Sequence, residues 1–323
     1  MYININDVAF TISCDNTIKP YFTSRLKILD ETVLLTINKT INVNIIPSSK
    51  IVFKDNSFCN RISPKISSDG IYYEMHGYGI FKFDKKKSEI TVNYAADKSK
   101  NNEQNFFRNI VTGTLQIINL STLFFNLLPL HAATVKRDGY GIIILGDTTQ
   151  GKSTTEYLLL HANFDFFADD IIFLDELGFI HNNCEKLVSI RNGTIELSNQ
   201  LFGEKLPAME PNEEKLFLPI EGIDFSKKII PKIILFPEQR YDVNVEKPYL
   251  IEKIDKSDLY LKLIKNSISS EFPAEIIKKY ILNMKKLCKT VDAYRVIRTN
   301  YYKNTHCKNL LDELSKILHE QIA

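Results

Sequence analysis

The sequence lacks tryptophan altogether and is poor in glycine and proline, with 12 and 11 of these among 323 residues. So small a share of both excludes collagen-like and low-complexity proteins. An excess of either charge is also missing, because 41 Lys and Arg oppose 39 Asp and Glu and leave a formal net charge of +2. This balance gives no electrostatic reason to expect a nucleic-acid polymer or an anionic membrane as a partner. What the chain does have is a hydrophobic share of 44%, with 15 Tyr and 20 Phe, which excludes a disordered protein.

Clustered cysteines are absent as well. No two of the five lie within four residues of each other, so neither a disulfide framework nor a zinc knuckle is indicated. The first residues also lack the basic segment and apolar segment of an export signal. We therefore expect reduced thiols and a cytoplasmic location. The five cysteines are Cys14, Cys59, Cys184, Cys288 and Cys307.

One long segment, 109–135, contains no Asp, Glu, Lys or Arg and is long enough to span a bilayer. Its Thr, Ser, Asn and Gln side chains would be costly in lipid, however. Residues in and just before it also repeat at the three- and four-residue spacing of one helix face. The segment therefore predicts a helix buried in a protein core, not a membrane span. The positions on that face are Phe106, Ile110, Gly113, Ile117, Leu120, Phe124 and Leu127.

The pattern of apolar runs divides the chain near residue 100. Residues 1–100 alternate short runs with Asn, Ser, Gly, Asp and Lys clusters, which predicts a small antiparallel β-rich domain. Residues 101–323 form a larger predicted domain with strand–loop–helix–strand order at its centre and helices towards its end. The predicted fold class is α/β, or α+β over the whole chain. The predicted strands of the first domain are 33–37, 43–46, 51–53, 71–75, 79–83 and 89–94, and the tail is predicted to hold helices at 258–268, 274–289 and 308–322 and a strand at 293–298.

The strongest motif is Gly146-Asp-Thr-Thr-Gln-Gly151-Lys152-Ser153, which matches the phosphate-loop pattern G-x-x-x-x-G-K-[ST]. An apolar run at 141–145, suited to a buried strand, precedes it, and 153–162 can begin a helix. The two glycines let the backbone curl so that its N–H groups point at phosphate oxygens. Lys152 would reach the β- and γ-phosphates of ATP, and the Ser153 hydroxyl would help to hold Mg²⁺. The predicted nucleotide-binding residues are Gly146, Asp147, Thr148, Thr149, Gln150, Gly151, Lys152, Ser153 and Thr154.

Asp169 and Asp170 are the second signal. A helix of about 12 residues carries the chain roughly 18 Å away from the loop. A returning strand of about five residues recovers roughly 16 Å, so the two carboxylates should arrive beside the loop. There one could bind Mg²⁺ while the other accepts the proton of an attacking hydroxyl. Without a phosphate loop nearby, a solvated turn between strands would be the simpler interpretation.

Leu130-His131-Ala, the 146–153 motif and Ala168-Asp169-Asp170 together resemble, in residues and spacing, the bacterial HPr serine kinase/phosphorylase family and its kinase-like relatives. The resemblance implies a phosphate-loop fold related to the ATP-type phosphoenolpyruvate carboxykinases. It also implies that His131 and Lys152 lie in an active site. Asp170 would take the proton from an acceptor serine, and Ser153 would bind Mg²⁺. From the residues alone, His131 would more often be an ordinary histidine at a strand end.

The resemblance extends to Ile190-Arg191 and Leu201-Phe202-Gly203, which are similar to elements of the same family at the same separation. The family carries a metal-binding Glu two residues before that Arg, where this chain has Ser189. Glu185 or Glu196 could supply the missing carboxylate, or the Asp pair could hold the metal alone. This departure bears on full kinase/phosphorylase activity more than on nucleotide binding.

Basic residues of the family have partial counterparts further on. Lys215, ahead of Pro231-Lys232-Ile233, stands where the family has a catalytic Arg. Lysine keeps the charge but loses the bidentate fork for phosphate oxygens. Pro237-Glu-Gln-Arg240 is similar to a later Pro- and Arg-containing loop, which makes Arg240 a candidate substrate contact. Arg191, in the element similar to the family's Ile-Arg, is a second candidate. Ordinary surface charge is the alternative interpretation for all three basic residues.

The resemblance covers roughly residues 128–240, and residues 1–100 do not resemble the family's regulatory domain. It therefore implies a divergent relative, with ATP and Mg²⁺ as cofactors. Our leading hypothesis is a kinase that phosphorylates a hydroxyl, with serine on a peptide or protein as the acceptor. A kinase acting on a small hydroxylated molecule and a nucleotide-binding regulatory protein without turnover are the alternatives. Members of the family can form homo-oligomers, although the sequence itself shows no interface.

Overall fold

The computed structural model places the chain in two units. The first is formed by Met1–Pro129, Asn183–Glu185 and Ile268–Lys279, and the second by Leu130–Asn182, Lys186–Ser267 and Tyr280–Ala323. The described residues form seven α-helices and several sheets, so the predicted mixture of helices and strands is confirmed. The predicted strand at 33–37, residues 52 and 53 of the predicted strand at 51–53, and Thr148 of the phosphate-loop motif lie outside the described residues. These are 1–6, 8–28, 39–48, 51, 64–75, 77–95, 103–147, 149–203, 206–207, 209, 215–220, 228–242, 246–267 and 272–322.

The first unit contains a seven-stranded sheet. Its strands are β1 (Tyr2–Ile5), β2 (Val8–Ser13), β3 (Lys39–Ser48), β4 (Lys65–Ser67), β5 (Gly70–Met75), β6 (Gly79–Asp84) and β7 (Glu89–Ala95). They lie in the order β1-β2-β3-β7-β6-β5-β4. The predictions at 43–46, 71–75, 79–83 and 89–94 are confirmed.

The direction of the strands differs from the prediction. β2, β3 and β7 run parallel to one another, whereas the other neighbouring strands are antiparallel. A wholly antiparallel domain is therefore wrong. Parallel neighbours need a long crossover connection, and the segment between β2 and β3 is long enough to include the helix α1 (Lys19–Arg25).

A long helix, α2 (Glu103–Ser121), covers β5, β6 and β7. Helix and sheet lie close together at Gly113, where a Cβ atom would lie 2.5 Å from the Phe81 ring. The Tyr73 hydroxyl donates a hydrogen bond to the Gly113 carbonyl. Phe106 and Ile110, on the apolar face predicted from the sequence, are fully buried. The prediction of a buried helix is therefore confirmed.

The boundary between the two units lies later in the chain than the predicted one, because of the packing of α2. Because α2 covers the first sheet, the first unit extends to Pro129, beyond the boundary expected at residue 100. Within the part of the chain that the structure describes, we find no helix with the length and apolar character needed to cross a membrane.

The second unit is built on a six-stranded sheet and smaller strand pairs. After β8 (Leu128–Leu130), the strands are β9 (Ala132–Arg137), β10 (Tyr140–Leu145), β11 (Asp165–Ala168), β12 (Ile172–Leu174), β13 (Ile180–His181), β14 (Leu187–Ile190), β15 (Leu216–Pro219), β16 (Ile230–Gln239), β17 (Tyr249–Ile254) and β18 (Asp292–Arg298). The six-stranded sheet has the order β11-β9-β10-β16-β18-β17, and β12–β13 and β14–β15 are separate pairs. β10, β16 and β18 run parallel, and β9 and β17 are antiparallel to their neighbours. The helices are α3 (Lys152–His161), α4 (Asn192–Phe202), α5 (Lys256–Ser267), α6 (Ala274–Thr290) and α7 (Cys307–Ile322).

The core of this unit lies between the parallel strands and α7. Ile142 and Ile144 of β10 and Leu235 of β16 are fully buried, and Leu314 and Leu318 of α7 pack in the same cluster. Each such side chain stabilises the fold by about 1.5–3 kcal/mol relative to leaving it exposed. The predicted tail, with its three helices and one strand, is confirmed.

Candidate functional site

Several strand ends of the second unit meet at one edge of the six-stranded sheet. β10 ends at Leu145, which is the register partner of Ala132 at the start of β9. β11 is also antiparallel to β9, and Ala168 at its end pairs with Thr134. On the other side of β10, β16 and β18 run parallel to it. His131, the 146–153 loop, the Asp pair and the ends of β16 and β18 therefore emerge at the same edge.

The 146–153 loop connects β10 to α3. Gly151 caps the helix with φ = 103°, a left-handed conformation that favours glycine. A Cβ atom at this position would also lie 2.4 Å from Nη2 of Arg298, but the end of that side chain can shift, so it is the backbone conformation that requires glycine. The first N–H groups of a helix have no partner within it, and together with the helix dipole they attract anions. Lys152 is the first residue of α3 and is 9% exposed.

Lys152 is joined to the Asp pair through His131. Its Nζ lies 2.7 Å from Nε2 of His131, and Nδ1 of the same ring lies 2.8 Å from the carbonyl oxygen of Asp170. A protonated Lys152 donates to Nε2, which assigns the ring proton to Nδ1 and makes the imidazole neutral. Desolvation of the partly exposed ring lowers the pKa of His131, and the Lys152 charge lowers it further. Burial likewise lowers the pKa of Lys152, although Asp170 and Asp169 oppose this effect.

The two carboxylates of the Asp pair have different environments. Asp169 is 3% exposed, and its Oδ2 accepts hydrogen bonds from the backbone N–H and the hydroxyl of Ser189 at 2.8 and 2.7 Å. Its Oδ1 accepts a hydrogen bond from the Asp170 N–H at 2.7 Å. Burial raises the pKa of Asp169, and the Asp170 charge adds to this effect. Asp169 therefore anchors the turn.

Asp170 has the more accessible carboxylate. Its side chain is 27% exposed and lies 3.3 Å from Nζ of Lys215. Burial alone would raise the pKa of Asp170, but the charges of Lys215 and Lys152 and the hydrogen bond from Lys215 outweigh it and lower the pKa. The residue also has φ = 61°, which costs a residue other than glycine about 1–2 kcal/mol. A strained residue with a shifted pKa at a strand end is a candidate for function.

Ser189 and Lys215, the two residues that differ from the family pattern, contact each other. Ser189 is in β14 and Lys215 immediately precedes β15, its antiparallel partner. Nζ of Lys215 donates to the Ser189 hydroxyl at 3.3 Å, and that hydroxyl donates to Asp169. Serine therefore links the lysine to the Asp pair. Of the two glutamates considered as replacements, Glu185 belongs to the first unit and pairs with Arg25 at 2.8 Å, and Glu196 is exposed on α4.

Other predicted site residues lie away from these contacts. Arg191 is exposed at the N-terminus of α4, and Arg240 forms an ion pair with Asp242 at 3.3 Å. Thr154 contacts the Thr194 hydroxyl at 2.9 Å, which ties α3 to α4. Of the remaining loop residues, Asp147 and Thr149 are exposed, and Gly146 and Ser153 are partly exposed.

Sequence reasoning missed a contact that clamps the loop from the side of β16 and β18. Nη2 of Arg298 donates to the Gln150 carbonyl at 3.0 Å, and the Gln239 N–H donates to Oε1 of Gln150 at 2.8 Å. Gln239 and Arg298 are register partners at the ends of their strands. We call Gln150, Gln239 and Arg298 the Gln150 clamp. Its sequence signal is weak, because no motif joins residues that lie 148 positions apart.

Glu156 was also missed. It lies one turn after Lys152 on α3, and its side chain is fully buried. Burial raises the pKa of its carboxyl well above the usual range, and the charges of Asp169 and Asp170 raise it further. Burial and the neighbouring Asp pair therefore both favour the neutral form of Glu156.

Comparison with models of known protein families gives no match, and comparison with curated proteins gives none either.

Whether the site suits a metal ion depends on the donor atoms that its side chains offer. Among the described residues, no group of three or more His, Cys, Asp or Glu side chains is arranged as a ready-made metal site. Mg²⁺ needs no such group, because it binds through one or two protein oxygens together with substrate phosphates and water. The partly exposed Ser153 hydroxyl and Asp170 carboxylate are oxygen donors of this kind. The residues present therefore fit Mg²⁺ bound together with a nucleotide.

Proposed function

We propose that this chain is an ATP-dependent kinase that transfers the γ-phosphoryl group to a hydroxyl, with serine on a peptide or protein as the acceptor. The observation that carries the proposal is the chain of contacts from Lys152 through His131 to Asp170 beside the 146–153 loop. These side chains come from three segments whose residues and spacing resemble the HPr serine kinase/phosphorylase family. The proposal includes a phosphate-loop core of that kind in the second unit.

In the proposed reaction, the triphosphate lies against the N–H groups of the loop and the start of α3, where the helix dipole favours negative charge. Lys152, already buried at this point, turns its ammonium to the β- and γ-phosphates. His131 keeps that ammonium in place and, being neutral, adds no proton of its own. Mg²⁺ held by Ser153 and Asp170 would neutralise charge on the phosphates.

Asp170 receives the proton of the acceptor. The hydroxyl oxygen forms a bond to the γ-phosphorus as the bond from that phosphorus to the bridging oxygen of ADP breaks, and the hydroxyl proton passes to the carboxylate. The lowered pKa keeps Asp170 ionised at neutral pH but makes it a weak base. A weak base suffices, because the transition state of phosphoryl transfer is loose and depends mainly on positioning and charge.

Asp169 and Ser189 have supporting roles in this scheme. Both oxygens of the Asp169 carboxylate accept hydrogen bonds, and these fix the strained turn that presents Asp170. The Lys215 ammonium lies 3.3 Å from the Asp170 carboxylate. In this scheme it stays beside the γ-phosphoryl group during the transfer. The cytoplasm is the proposed location, since Cys14, Cys184, Cys288 and Cys307 are free thiols.

The test is transfer of label from [γ-³²P]ATP to a cell extract by the purified chain, by Lys152→Ala, and by Lys87→Ala, which removes an exposed lysine from a turn of the first unit. We expect a labelled peptide or protein with the chain and with Lys87→Ala, and none with Lys152→Ala. A labelled small molecule would overturn the choice of acceptor but not the chemistry. Equal labelling with Lys152→Ala would overturn the proposed site.

One observation favours a regulatory protein as the second candidate. The Asp170 carboxylate is already paired with Lys215, so its oxygens are not free for an acceptor until that pair opens. ATP binding that depends on Lys152, without label transfer to any acceptor in the extract, would favour this candidate over the kinase.

A further inference from the structure

A cavity of about 350 Å³ adjoins the 146–153 loop on the side of β16. Its walls come from Gly146 and Gln150 of the loop, from residues 236–240, and from Lys262 and Lys265 of α5. The volume lies at the lower end of the range for pockets that hold small molecules. Lys152, His131, Asp170 and Lys215 are not among its described lining residues. The cavity therefore touches the loop without touching the side chains proposed to carry out the transfer.

The order of the strands separates the cavity from those side chains. Asp170 and His131 lie at the ends of β11 and β9, on one side of β10, whereas the cavity is lined by the end of β16 on the other side. Neighbouring strands are about 4.8 Å apart, so the end of β16 lies roughly 10 Å from β9 and roughly 14 Å from β11 along the sheet edge. A triphosphate that follows the loop with its γ end at Lys152 and Asp170 has its other end directed towards β16. The nucleoside is attached to this other end, at the α-phosphate.

We propose that this cavity binds the nucleoside of the nucleotide, that is, the ribose and its base. The proposal rests on the kinase function above, because it takes the 146–153 loop as the phosphate site. Pro237 provides an apolar wall of the kind that packs against a base. Glu238 provides a carboxylate, which accepts hydrogen bonds from ribose hydroxyls in nucleotide-binding proteins generally.

The Glu238 carboxylate is held in place by Lys262, whose Nζ lies 2.8 Å from its Oε1. Lys262 is in turn positioned over the Phe236 ring, 5.1 Å from its centroid. The Gln239 N–H donates to the Gln150 side chain at 2.8 Å, so the wall of the cavity is hydrogen-bonded to the loop. Phosphate site and cavity are therefore directly connected.

The test compares the binding of Mg·ATP with that of Mg-tripolyphosphate, which has the phosphates but no nucleoside. The unmodified chain should bind ATP at least about tenfold more tightly than tripolyphosphate, a difference of about 1.4 kcal/mol. Gln239→Trp adds bulk to a lining residue while keeping the backbone N–H that binds Gln150, so it should abolish that preference, and the affinity for tripolyphosphate measures any effect on the Gln150 clamp. Leu261→Trp adds the same bulk at an exposed position of α5 and should leave both affinities unchanged.

A second variant covers the case in which Gln239→Trp disturbs the loop. Glu238→Ala should weaken ATP binding about tenfold but leave the binding of 2′,3′-dideoxy-ATP unchanged, because that ligand lacks the ribose hydroxyls. Equal losses for the two ligands, or none for either, would overturn the assignment to the nucleoside. A normal affinity for ATP combined with a raised KM for the acceptor would instead assign the cavity to the acceptor. If the unmodified chain bound neither ATP nor tripolyphosphate, the proposed function itself would fail.

Discussion

The two sides of the 146–153 loop are held by different kinds of interaction. On the side of β9 and β11, ionisable side chains contact one another, and the pKa values of His131, Asp169 and Asp170 are shifted. On the side of β16 and β18, the Gln150 clamp joins the Gln239 N–H and the Arg298 guanidinium to two oxygens of a single neutral residue, Gln150. Under the proposed function, we expect the contacts of the ionisable cluster to be exchanged for contacts to a ligand and the clamp to remain. We call the first side the reactive side and the second the supporting side.

The largest effect should come from the reactive side. Lys152→Met keeps the apolar stem but removes the charge that neutralises the phosphates, so the rate of phosphoryl transfer should fall by about 10³-fold. The measurement is the initial rate with labelled ATP, with Lys87→Met as the matched control. A loss of less than tenfold would show that the reactive side does not depend on Lys152.

On the supporting side, Gly151→Ala should destabilise the fold by about 1–3 kcal/mol, because alanine is strained at φ = 103° and its Cβ atom meets Arg298. Denaturant unfolding gives the free energy. Gly193→Ala is the control, because no atom lies within 4 Å of a Cβ atom placed there. Arg298→Ala in the Gly151→Ala background should recover part of the loss, and full additivity of the two changes would contradict the proposed contact.

The buried acid on the reactive side predicts a dependence of stability on pH. The pKa of Glu156 is raised in the folded state, so the folded chain keeps a proton that the unfolded chain loses above its ordinary pKa of about 4.3. This carboxyl therefore reduces the free energy of unfolding as the pH rises from there to the folded pKa, by about 1.4 kcal/mol per pH unit.

Glu156→Gln removes this titration and should be more stable than the unmodified chain at pH 8, with a smaller difference at pH 4. Unfolding curves at both pH values measure the effect. Glu196→Gln, at an exposed position of α4, should change neither curve. The raised pKa would be contradicted if the gain in the free energy of unfolding of Glu156→Gln over the unmodified chain were smaller at pH 8 than at pH 4.

The smallest effect should be on nucleotide affinity through the clamp. Arg298→Lys keeps the charge but loses the guanidinium that donates to Gln150, so ATP should bind about fivefold more weakly, or ~1 kcal/mol. The maximal rate of transfer should hardly change, because Arg298 does not contact the reactive side chains in the proposed scheme. Arg137→Lys is the control at a remote strand end. If Arg298→Lys changed the rate of transfer but not the affinity for ATP, Arg298 would belong to the reactive side and the assignment of the two sides would be wrong.

Sequence alone predicted the reactive side better than the supporting side. The lengths of the helix after Lys152 and of the following strand predicted that Asp170 would return to the loop, and the structure brings it there. These residues lie in one continuous strand–helix–strand segment, so element lengths are sufficient to place them. His131 came from a resemblance and not from the pattern itself.

The Gln150 clamp could not be predicted in this way. Its members come from the ends of three separated segments, and only the pairing of β16 with β18 brings Gln239 and Arg298 together. The burial of Glu156 depends in the same way on strands that pack over α3, since nothing in its neighbours distinguishes it from an exposed helical glutamate. The parallel pairing of β2, β3 and β7 was missed because strand runs alone carry no information on direction.

The central claim, that a reactive side and a supporting side divide the work, is tested most directly by Asp170→Asn. This change removes the proton acceptor and a proposed Mg²⁺ ligand but keeps the shape of the side chain, so the account predicts a transfer rate lower by about 10²–10⁴-fold and retained binding of tripolyphosphate without Mg²⁺. Both quantities can be measured on the same preparation. Transfer at the full rate by Asp170→Asn would contradict the account.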